Sequence, residues 1–537
     1  MSLRFNSYRA PVYGLRGIVA SSQPLASEAG MRILQGGGNA ADAAVAVAAA
    51  LNVTEPCSTG IGGDCFCLYF DSKKRIVEGL NGSGRAPSQL SLDILKNQGI
   101  TEFLPPLSIH TITVPGAAAG WVDTIEKFGT MKLGEVLKPA IDLAEGGFPV
   151  APFTALAWKR SAPLIKQGPY GEEILLNGEA PQEGQVMRNP TLARTFKELA
   201  EHGKSGFYEG RIANVIVELI QSRGGVMTLD DLKNHHSTFD KPISTNYRGI
   251  DIFEIPPNGQ GITALIALNI LEGFDISKMT HSSVEYLHLM IEAMRIAFAD
   301  TRWYVADPDM VDVPIQELLS KSYAAERRKI INFSKATIDV QKGSPFASSD
   351  TVYFSVVDGE GNACSFINSN YMGFGTGLVP KGCGFTLQNR GANFTLEPGH
   401  PNVLEPNKRP YHTIIPGMAT KDSELYASFG VMGGFNQPQG HVQVILNLVD
   451  FGMNPQEALN APRFCIADGT SGGKVALEEG ITVETMSNLN RMGHEIVPTS
   501  GIARTLFGRG QIITRDSKTG VLCGGSSPRA DGLAIAW

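Results

Sequence analysis

The chain has 537 residues, of which 42% are hydrophobic and 18% charged, and its formal net charge is −7. This composition is typical of a globular protein with a large buried core, and the length leaves room for several domains. Basic and acidic residues are spread along the chain without a basic stripe, so we expect no nucleic-acid partner.

The first twenty residues contain Arg4, Arg9 and Arg16 and no continuous apolar core, unlike a secretory signal. The longest mainly apolar stretch, residues 43–53, is too short to cross a bilayer. Seven cysteines include no CxxC pair, which fits a reduced interior better than a disulfide framework. These features predict a cytoplasmic protein with no membrane partner.

Two consecutive helices are predicted near the start of the chain, over residues 24–35 and 40–52. The glycines at 36–38 end the first helix, and Asn39 caps the second. A phosphate-binding loop is the alternative interpretation of these glycines, but no Lys-Ser/Thr follows them. Residues 65–69 then form a predicted buried strand.

The middle of the chain is predicted to be helical. Ser282 and Glu285 have the spacing of a capping box. The apolar residues that follow share one helical face and indicate core packing: Leu287, Met290, Ile291, Met294 and Phe298. Residues 321–345 are charged and strand-poor and indicate an exposed connection, which is where chains are commonly cut.

The last third of the chain is richer in strands. Helices followed by a strand-rich part predict a layered α/β (α+β) fold without internal repeats. The predicted elements are strands over 351–357 and 363–369 joined by a hairpin turn at 358–362, a strand over 425–429, and helices near 436–451 and 483–492.

Thr351 follows the flexible segment and opens a strand. A threonine hydroxyl is a poor nucleophile, but the free α-amine of an N-terminal threonine can serve as its base. Thr351 would have such an amine only if the chain were cut before it. The alternative is an ordinary β-branched residue at the start of a strand.

Gly433 and Gly434 directly follow a predicted strand and could present backbone N–H groups to an oxyanion, or simply form a tight turn. His412 and Thr413 could line a site, although a lone histidine is more often structural. His235 and His236 lack a third ligand at suitable spacing, so we predict no metal and no cofactor.

Taken together, ordered segments from about residue 10 to the C-terminus resemble the γ-glutamyltranspeptidase (glutathione hydrolase) family. The segments are Gly17-Ile-Val-Ala-Ser, Gly36-Gly-Gly-Asn-Ala-Ala-Asp-Ala-Ala, Thr113-Val-Pro-Gly, Pro256-Pro-Asn-Gly-Gln-Gly, Ala306-Asp-Pro-Asp, Asp350-Thr351, Phe374-Gly-Thr-Gly, Asn407-Lys-Arg-Pro, Gly433-Gly434 and Asn460-Ala-Pro-Arg-Phe. The resemblance implies an N-terminal-nucleophile hydrolase, an αββα four-layer sandwich.

The resemblance also implies self-cleavage between Asp350 and Thr351 into a large subunit, 1–350, and a small catalytic subunit, 351–537. These fragments would form one domain as a heterodimer, and two such heterodimers could associate as a dimer. Thr351 would then attack the substrate amide while Gly433 and Gly434 hold the oxyanion. Ser369 stands where the family has a threonine that hydrogen-bonds the new N-terminus.

The pocket residues depart from the glutathione-processing pattern. Ser83 stands at the position of the arginine that holds the glutamyl carboxylate, and Arg85 is displaced by two residues, or roughly 6–7 Å along a strand. Asn393 replaces the aspartate that binds the α-ammonium, and Arg390 adds a positive charge nearby. Tyr371 stands where asparagine is common, and His412-Thr413 replace paired serines.

These departures resemble a second branch of the superfamily, which includes oxamate amidohydrolase and cephalosporin-acylase-like proteins. They favour a small amide substrate that carries a carboxylate and lacks the α-amino group. The alternatives are a genuine glutathione hydrolase or γ-glutamyltransferase, and an uncleaved scaffold that binds a ligand or partner. For Arg85 and Arg390, the alternative to substrate binding is a structural ion pair in the core.

Overall fold

In this computed structural model the described residues are 9–337 and 350–537. The strands are β1 Val12–Gly14, β2 Gly17–Ser21, β3 Asp64–Asp71, β4 Ile76–Gly82, β5 Phe148–Pro149, β6 Val186–Met187, β7 Ile243–Tyr247, β8 Ile250–Glu254, β9 Asp350–Asp358, β10 Ala363–Tyr371, β11 Gly417–Lys421, β12 Glu424–Val431, β13 Phe464–Ile466, β14 Val475–Glu478, β15 Ile496–Thr499, β16 Gly510–Arg515, β17 Leu522–Ser526 and β18 Leu533–Ala536.

The α-helices are α1 Pro24–Gln35, α2 Ala40–Thr54, α3 Leu92–Asn97, α4 Ala117–Phe128, α5 Leu133–Gly146, α6 Pro152–Ile165, α7 Pro190–His202, α8 Lys204–Tyr208, α9 Gly210–Ser222, α10 Leu229–Lys233, α11 Gly261–Leu271, α12 Val284–Tyr304, α13 Ile315–Leu318, α14 Lys321–Arg328, α15 Asn436–Val449, α16 Pro455–Asn460 and α17 Val483–Arg491. Short 3₁₀ helices include Arg390–Asn393 and Gly501–Phe507.

Two antiparallel sheets form the centre of the molecule. The six-stranded sheet has the order β18-β2-β9-β10-β3-β4, and the seven-stranded sheet has the order β1-β17-β16-β12-β11-β8-β7. Strand β9 therefore lies inside its sheet, with β2 on one side and β10 on the other. Both sheets combine strands that come before and after residue 350.

Side chains of β9 alternate between two different cores, as expected for a strand buried on both faces. Tyr353 and Val357 enter the apolar layer between the two sheets. Val352 and Phe354 point the other way, into the core shared with α2. Helices α11 and α15 cover the outer face of the seven-stranded sheet. The sheets thus pack face to face, with helices on both outer sides.

Several predicted elements are confirmed. Helices α1 and α2 match their predicted positions, and Asn39 caps α2 by accepting hydrogen bonds from the N–H groups of Ala41 (2.9 Å) and Asp42 (3.1 Å). The predicted hairpin is formed by β9 and β10. Its turn is fixed by Asp358, whose carboxylate accepts backbone N–H groups of the turn.

The predicted start of α12 is wrong by one residue. Ser283 is the N-cap and accepts a hydrogen bond from the Tyr286 N–H at 3.3 Å, whereas Ser282 has a left-handed φ of +62° before the helix. The apolar face predicted for this helix is buried. Within the predicted connection, Lys321–Arg328 form helix α14, while residues 338–345 lie outside the described part of the chain.

None of the helices in the described ranges combines the length and the apolar character needed to span a membrane.

The Asn39 cap gives a test of the fold. Replacing Asn39→Ala removes both cap bonds and should lower the free energy of unfolding by about 1–2 kcal/mol, measured by urea unfolding. Ser91→Ala is the matched control, because Ser91 accepts one 3.4 Å bond at the start of the short helix α3. If both variants lost the same free energy of unfolding, the Asn39 cap would not contribute more to stability than the Ser91 cap.

Candidate active site

Thr351 lies near the start of β9, and its side chain is fully buried. Its Oγ1 donates a hydrogen bond to Ser369 Oγ at 3.0 Å. The strand pairing explains this contact: Asn368 pairs with Val352, Tyr371 pairs with Asp350, and the register shifts between them. Bulges of this kind redirect side chains, and this one turns Ser369 towards Thr351.

The bulge also fixes Tyr371. This residue has a left-handed φ of +75°, which is uncommon for a bulky side chain, and its N–H donates to Ser369 Oγ at 2.9 Å. The Tyr371 ring is buried and lies against the guanidinium of Arg390, 4.7 Å from the ring centroid. The bulge therefore positions the serine and the tyrosine together.

Arg390, in the 3₁₀ helix Arg390–Asn393, is the cation of this cluster, and its side chain is fully buried. Its Nη2 donates to Ser369 Oγ at 2.9 Å and its Nη1 to Thr413 Oγ1 at 2.7 Å, while Nε has no partner. In the part of the chain that the structure describes, no carboxylate lies within the 4.0 Å of an ion pair. Burial lowers the pKa of Arg390 to about 10, so it stays charged at neutral pH.

A buried charge without an opposite partner is costly, because desolvation is not repaid by a direct ion pair. An anion bound beside Thr351 would offset this cost.

His412 and Asp64 lie close to this cation. His412 Nε2 donates to Asp64 Oδ2 at 3.0 Å, and both side chains are fully buried. Burial, and secondarily the charge of Arg390, lower the pKa of His412 to about 3, so its imidazole is neutral. Asp64 Oδ1 accepts three further hydrogen bonds, from Gly84 N, Gly116 N and Gln388 Nε2. His412 is thus held by a carboxylate, whereas Thr413 contacts Arg390.

The turn between β12 and α15 contains Gly433 and Gly434, with φ of +131° and +57°. These left-handed values favour glycine. Within the described residues, neither glycine N–H has a hydrogen-bond acceptor. The following Asn436 is buried, and both polar atoms of its side chain lack partners. Donors left free at a turn of this kind suit an oxyanion.

Arg509 reaches the same region, although no sequence pattern pointed to it. Its Nη2 lies 3.4 Å from the carbonyl oxygen of Thr351 and 3.1 Å from Ser58 Oγ, and its guanidinium forms an ion pair with buried Glu55. Its backbone oxygen accepts the N–H of Met432 at 3.2 Å. Arg509 therefore connects Thr351 with the turn that carries Gly433.

The other two predicted pocket residues lie outside this hydrogen-bonded cluster. Arg85 forms an ion pair with Asp309 at 3.3 Å, and the Asp309 side chain is 62% exposed. The backbone oxygen of Asn393 accepts a hydrogen bond from Asn402, while its buried Nδ2 has no partner. The alternative considered for both arginines was an ion pair in the core. Arg85 forms an ion pair, but with a largely exposed partner, and Arg390 forms none within the described residues. Substrate binding by Arg85 and Asn393 stays a prediction.

An open cleft of about 510 Å³ adjoins the turn. Met432, Gly433, Arg509 and Ser58 form one side, and α6 contributes the other. Arg390, Ser369 and Thr413 do not line this cleft. The surroundings of Thr351 therefore comprise a buried polar cluster around Arg390 and a separate open cleft that Arg509 lines.

One group of potential metal ligands occurs among the described residues, His288, Glu292 and His494, and it is separate from the Thr351 cluster. His288 Nδ1 and His494 Nε2 are 2.8 Å apart, and His288 Nε2 lies 2.8 Å from the Asn332 carbonyl oxygen. Since Nε2 must donate to that carbonyl, Nδ1 accepts the His494 proton. The facing nitrogens thus join His288 to His494 by a hydrogen bond, and the other nitrogen of His288 holds Asn332 to α12.

Comparisons with known proteins agree with this geometry. The sequence profile of the gamma-glutamyltranspeptidase family matches residues 26–537. The "Glutathione hydrolase-like YwrD proenzyme" of Bacillus subtilis (strain 168) is 38% identical, with 98% of this chain and 99% of the relative covered. The "Acylase ACY 1 proenzyme" of Pseudomonas sp. (strain V22) is 34% identical, with 99% of this chain and 95% of the relative covered. The crystal structure of cephalosporin acylase from Bacillus halodurans superimposes with a TM-score of 0.93 at 45% identity, covering 100% of this chain and 98% of that one.

Stability measurements can show whether the charge of Arg390 serves to bind an anion or to stabilise the fold. We expect Arg390→Met to change the free energy of unfolding by less than about 2 kcal/mol, because losing two hydrogen bonds is offset by removing an unneutralised buried charge. The matched control is Arg529→Met, whose guanidinium contacts buried Glu478 at 2.5 Å. Breaking that buried pair should cost at least about 3 kcal/mol. Similar losses in both variants would make Arg390 a structural residue.

Proposed function

Because the chain belongs to the gamma-glutamyltranspeptidase family of hydrolase proenzymes, we propose that it is a self-processing N-terminal-threonine amidohydrolase. It hydrolyses an amide next to an anionic acyl group through an acyl-enzyme on Thr351. The observation that carries this proposal is Arg390, a buried cation without a carboxylate partner that shares Ser369 with Thr351. The helix, sheet, sheet, helix order supports the N-terminal-nucleophile hydrolase fold.

The first step is cleavage between Asp350 and Thr351. Thr351 Oγ1 attacks the carbonyl carbon of Asp350, the peptide nitrogen leaves as the new amine, and an ester remains. Water then hydrolyses the ester, which releases the Asp350 carboxylate. The products are 1–350 and 351–537. They would stay together as a heterodimer, because each sheet contains strands from both fragments.

The processed enzyme then uses its new amine. An α-amine has a reference pKa of about 7.7–8.0, so it can take the Thr351 hydroxyl proton near neutral pH. The hydroxyl oxygen attacks the substrate carbonyl, and the Gly433 and Gly434 N–H groups stabilise the oxyanion. The proton passes to the departing amine, and water hydrolyses the acyl-enzyme. Ser369, which accepts the hydrogen bond of the Thr351 hydroxyl, would orient both the hydroxyl and the amine.

Charge around the pocket selects the acyl group. Arg390 would bind a carboxylate of the acyl arm and repel a cation. Asn393 is neutral, so it cannot give an α-ammonium the charge-assisted hydrogen bond that an aspartate gives, worth roughly 1.5–3 kcal/mol. The pocket therefore favours an acyl group such as glutaryl over γ-glutamyl. Glutathione hydrolysis is the second candidate, since a relative covering nearly the whole chain is named glutathione hydrolase-like.

Processing is tested by denaturing gels and mass spectrometry. The parent protein of 57.5 kDa should give two chains, the smaller beginning at Thr351. Thr351→Ala should remain a single inactive chain, because it lacks the attacking oxygen. Thr420→Ala changes a buried threonine in β11 of the other sheet and should be processed like the parent. A parent that remains one chain after long incubation would favour an uncleaved binding scaffold.

Acyl specificity is tested with glutaryl- and γ-glutamyl-p-nitroanilide, which differ only in the α-ammonium. We expect kcat/KM to favour the glutaryl compound by at least about ten-fold, which corresponds to about 1.4 kcal/mol. Asn393→Asp should narrow this ratio, whereas Asn97→Asp, which adds the same charge on exposed α3, should not. Faster γ-glutamyl hydrolysis that slows in Asn393→Asp would overturn the proposed specificity.

A further inference from the structure

A second group of buried polar side chains lies between helix α12 and the loop that joins α17 to β15. His288 and Glu292 are one helical turn apart on α12, and His494 comes from the loop. The exposed fractions of the three side chains are 1%, 0% and 1%. One nitrogen of each histidine and one carboxylate oxygen of Glu292 all lie within 4.8 Å of one another. Three ligand atoms of kinds that bind metals are therefore gathered in one small volume of the core.

Two atoms of this group, Glu292 Oε1 and His494 Nδ1, have no hydrogen-bond partner within the described residues. The other carboxylate oxygen of Glu292 accepts the Thr337 N–H at 3.0 Å. Arg295 lies nearby on α12, but its guanidinium donates to backbone carbonyl oxygens in the loop 471–473 instead. A buried carboxylate without a direct counterion is costly. A cation bound at Glu292 would offset this cost.

His288 has the hydrogen bonding of a metal ligand. Its Nε2 donates to the Asn332 carbonyl oxygen at 2.8 Å, so the lone pair of Nδ1 faces His494 Nε2, 2.8 Å away. Metal-bound histidines usually donate their other ring N–H to a carbonyl or carboxylate in this way. Two nitrogens on a tetrahedral Zn²⁺ ion, each at about 2.0–2.1 Å, are roughly 3.3 Å apart. The two rings would therefore need to separate by only about 0.5 Å.

We propose that His288, Glu292 and His494 form a zinc site. Two imidazoles and a carboxylate are a ligand set that Zn²⁺ accepts, with water as the fourth ligand. Zn²⁺ also binds such sites more tightly than Mn²⁺ or Fe²⁺ does. When the ion binds, the proton on His494 Nε2 moves to Nδ1, so the imidazole stays neutral. Both facing nitrogens then donate a lone pair to the ion, and the Glu292 carboxylate offsets part of its charge.

The ion would join the two parts of the chain that the proposed cleavage separates. His288 and Glu292 come before the 350/351 bond, whereas His494 comes after it. The same two side chains of α12 also hold residues 332–337, the last described segment before that bond. Since the group is separate from the Thr351 cluster, the ion would be structural. It would hold the two parts together whether or not the bond is cut.

Zinc binding is tested on metal-stripped protein by competition with a chromogenic chelator, with Co²⁺ as a spectroscopic probe of the ligand geometry. The parent should bind one equivalent of Zn²⁺. Glu292→Gln preserves the side-chain volume and removes the charge, so Kd should rise at least about ten-fold. His494→Ala should lose the site and the Co²⁺ absorption. Glu285→Gln makes the same change at an exposed position of α12 and should bind like the parent.

The histidine pair at 235–236 is the alternative source of zinc binding, so His236→Ala is a further control. A parent that binds no Zn²⁺, or binding lost in His236→Ala and kept in His494→Ala, would overturn the proposal. If His494→Ala does not fold, Glu292→Gln decides the question, and binding as tight as that of the parent would count against the site.

Stability gives an independent measurement. Excess Zn²⁺ should raise the midpoint of thermal unfolding of the parent, because a ligand that binds only the folded state stabilises it. Glu292→Gln should show a smaller rise, and Mg²⁺, which prefers oxygen ligands, should have no effect on either protein. Thr351→Ala retains all three ligands and should bind Zn²⁺ like the parent. The zinc site is thus tested independently of processing and of amidohydrolase activity.

Discussion

The hydrogen-bonded chain from Thr351 through Ser369 to Arg390 is the interaction on which the rest of the site depends. Ser369 Oγ accepts hydrogen bonds from the Thr351 hydroxyl, the Arg390 guanidinium and the Tyr371 N–H. A single oxygen therefore fixes the distance between the nucleophile and the cation. The β10 bulge places that oxygen, and the central position of β9 holds the threonine.

The electrostatics around this chain keep Arg390 available. Burial lowers the pKa of Arg390, and nearby Asp64 offsets only part of that lowering. The Asp64 oxygens accept hydrogen bonds from His412, Gln388 and two backbone N–H groups. His412 is neutral, since burial and Arg390 lower its pKa to about 3. The imidazole thus binds the carboxylate without adding a charge. This arrangement occupies the Asp64 oxygens and leaves Arg390 without a direct ion pair within the described residues.

Local features were predictable from the sequence, because caps, turns and strand alternation depend on neighbouring residues. The Asn39 cap and the β9–β10 hairpin are examples. The cap of α12 was misplaced by one residue, because two adjacent serines offer the same side chain and only φ distinguishes them. Thr351, Gly433 and Gly434 could be singled out because they lie in a specific order of motifs.

Contacts between distant segments could not be predicted in this way. The sequence alone did not distinguish Arg85 from Arg390, since both are arginines close to altered pocket positions. Only the folded chain shows that Arg85 meets Asp309, whereas Arg390 has neutral partners. Arg509 was missed because its contacts with Glu55 and Thr351 join three separate elements. The spacing of residues along the sequence does not predict contacts between side chains of such distant elements.

Substitutions disturb the packing more on the Arg390 side of Thr351 than on the α6 side. This difference affects how substrate specificity can change. The Arg390 side is buried among interlocked hydrogen bonds, so a change there requires compensation by Ser369, Thr413 or Tyr371. The α6 side is open, and exposed residues such as Arg160 can change with little effect on packing. Under the proposed function, acyl preference is therefore a property of the core. Residues on the open α6 side can change while Thr351 and its hydrogen bonds stay as they are.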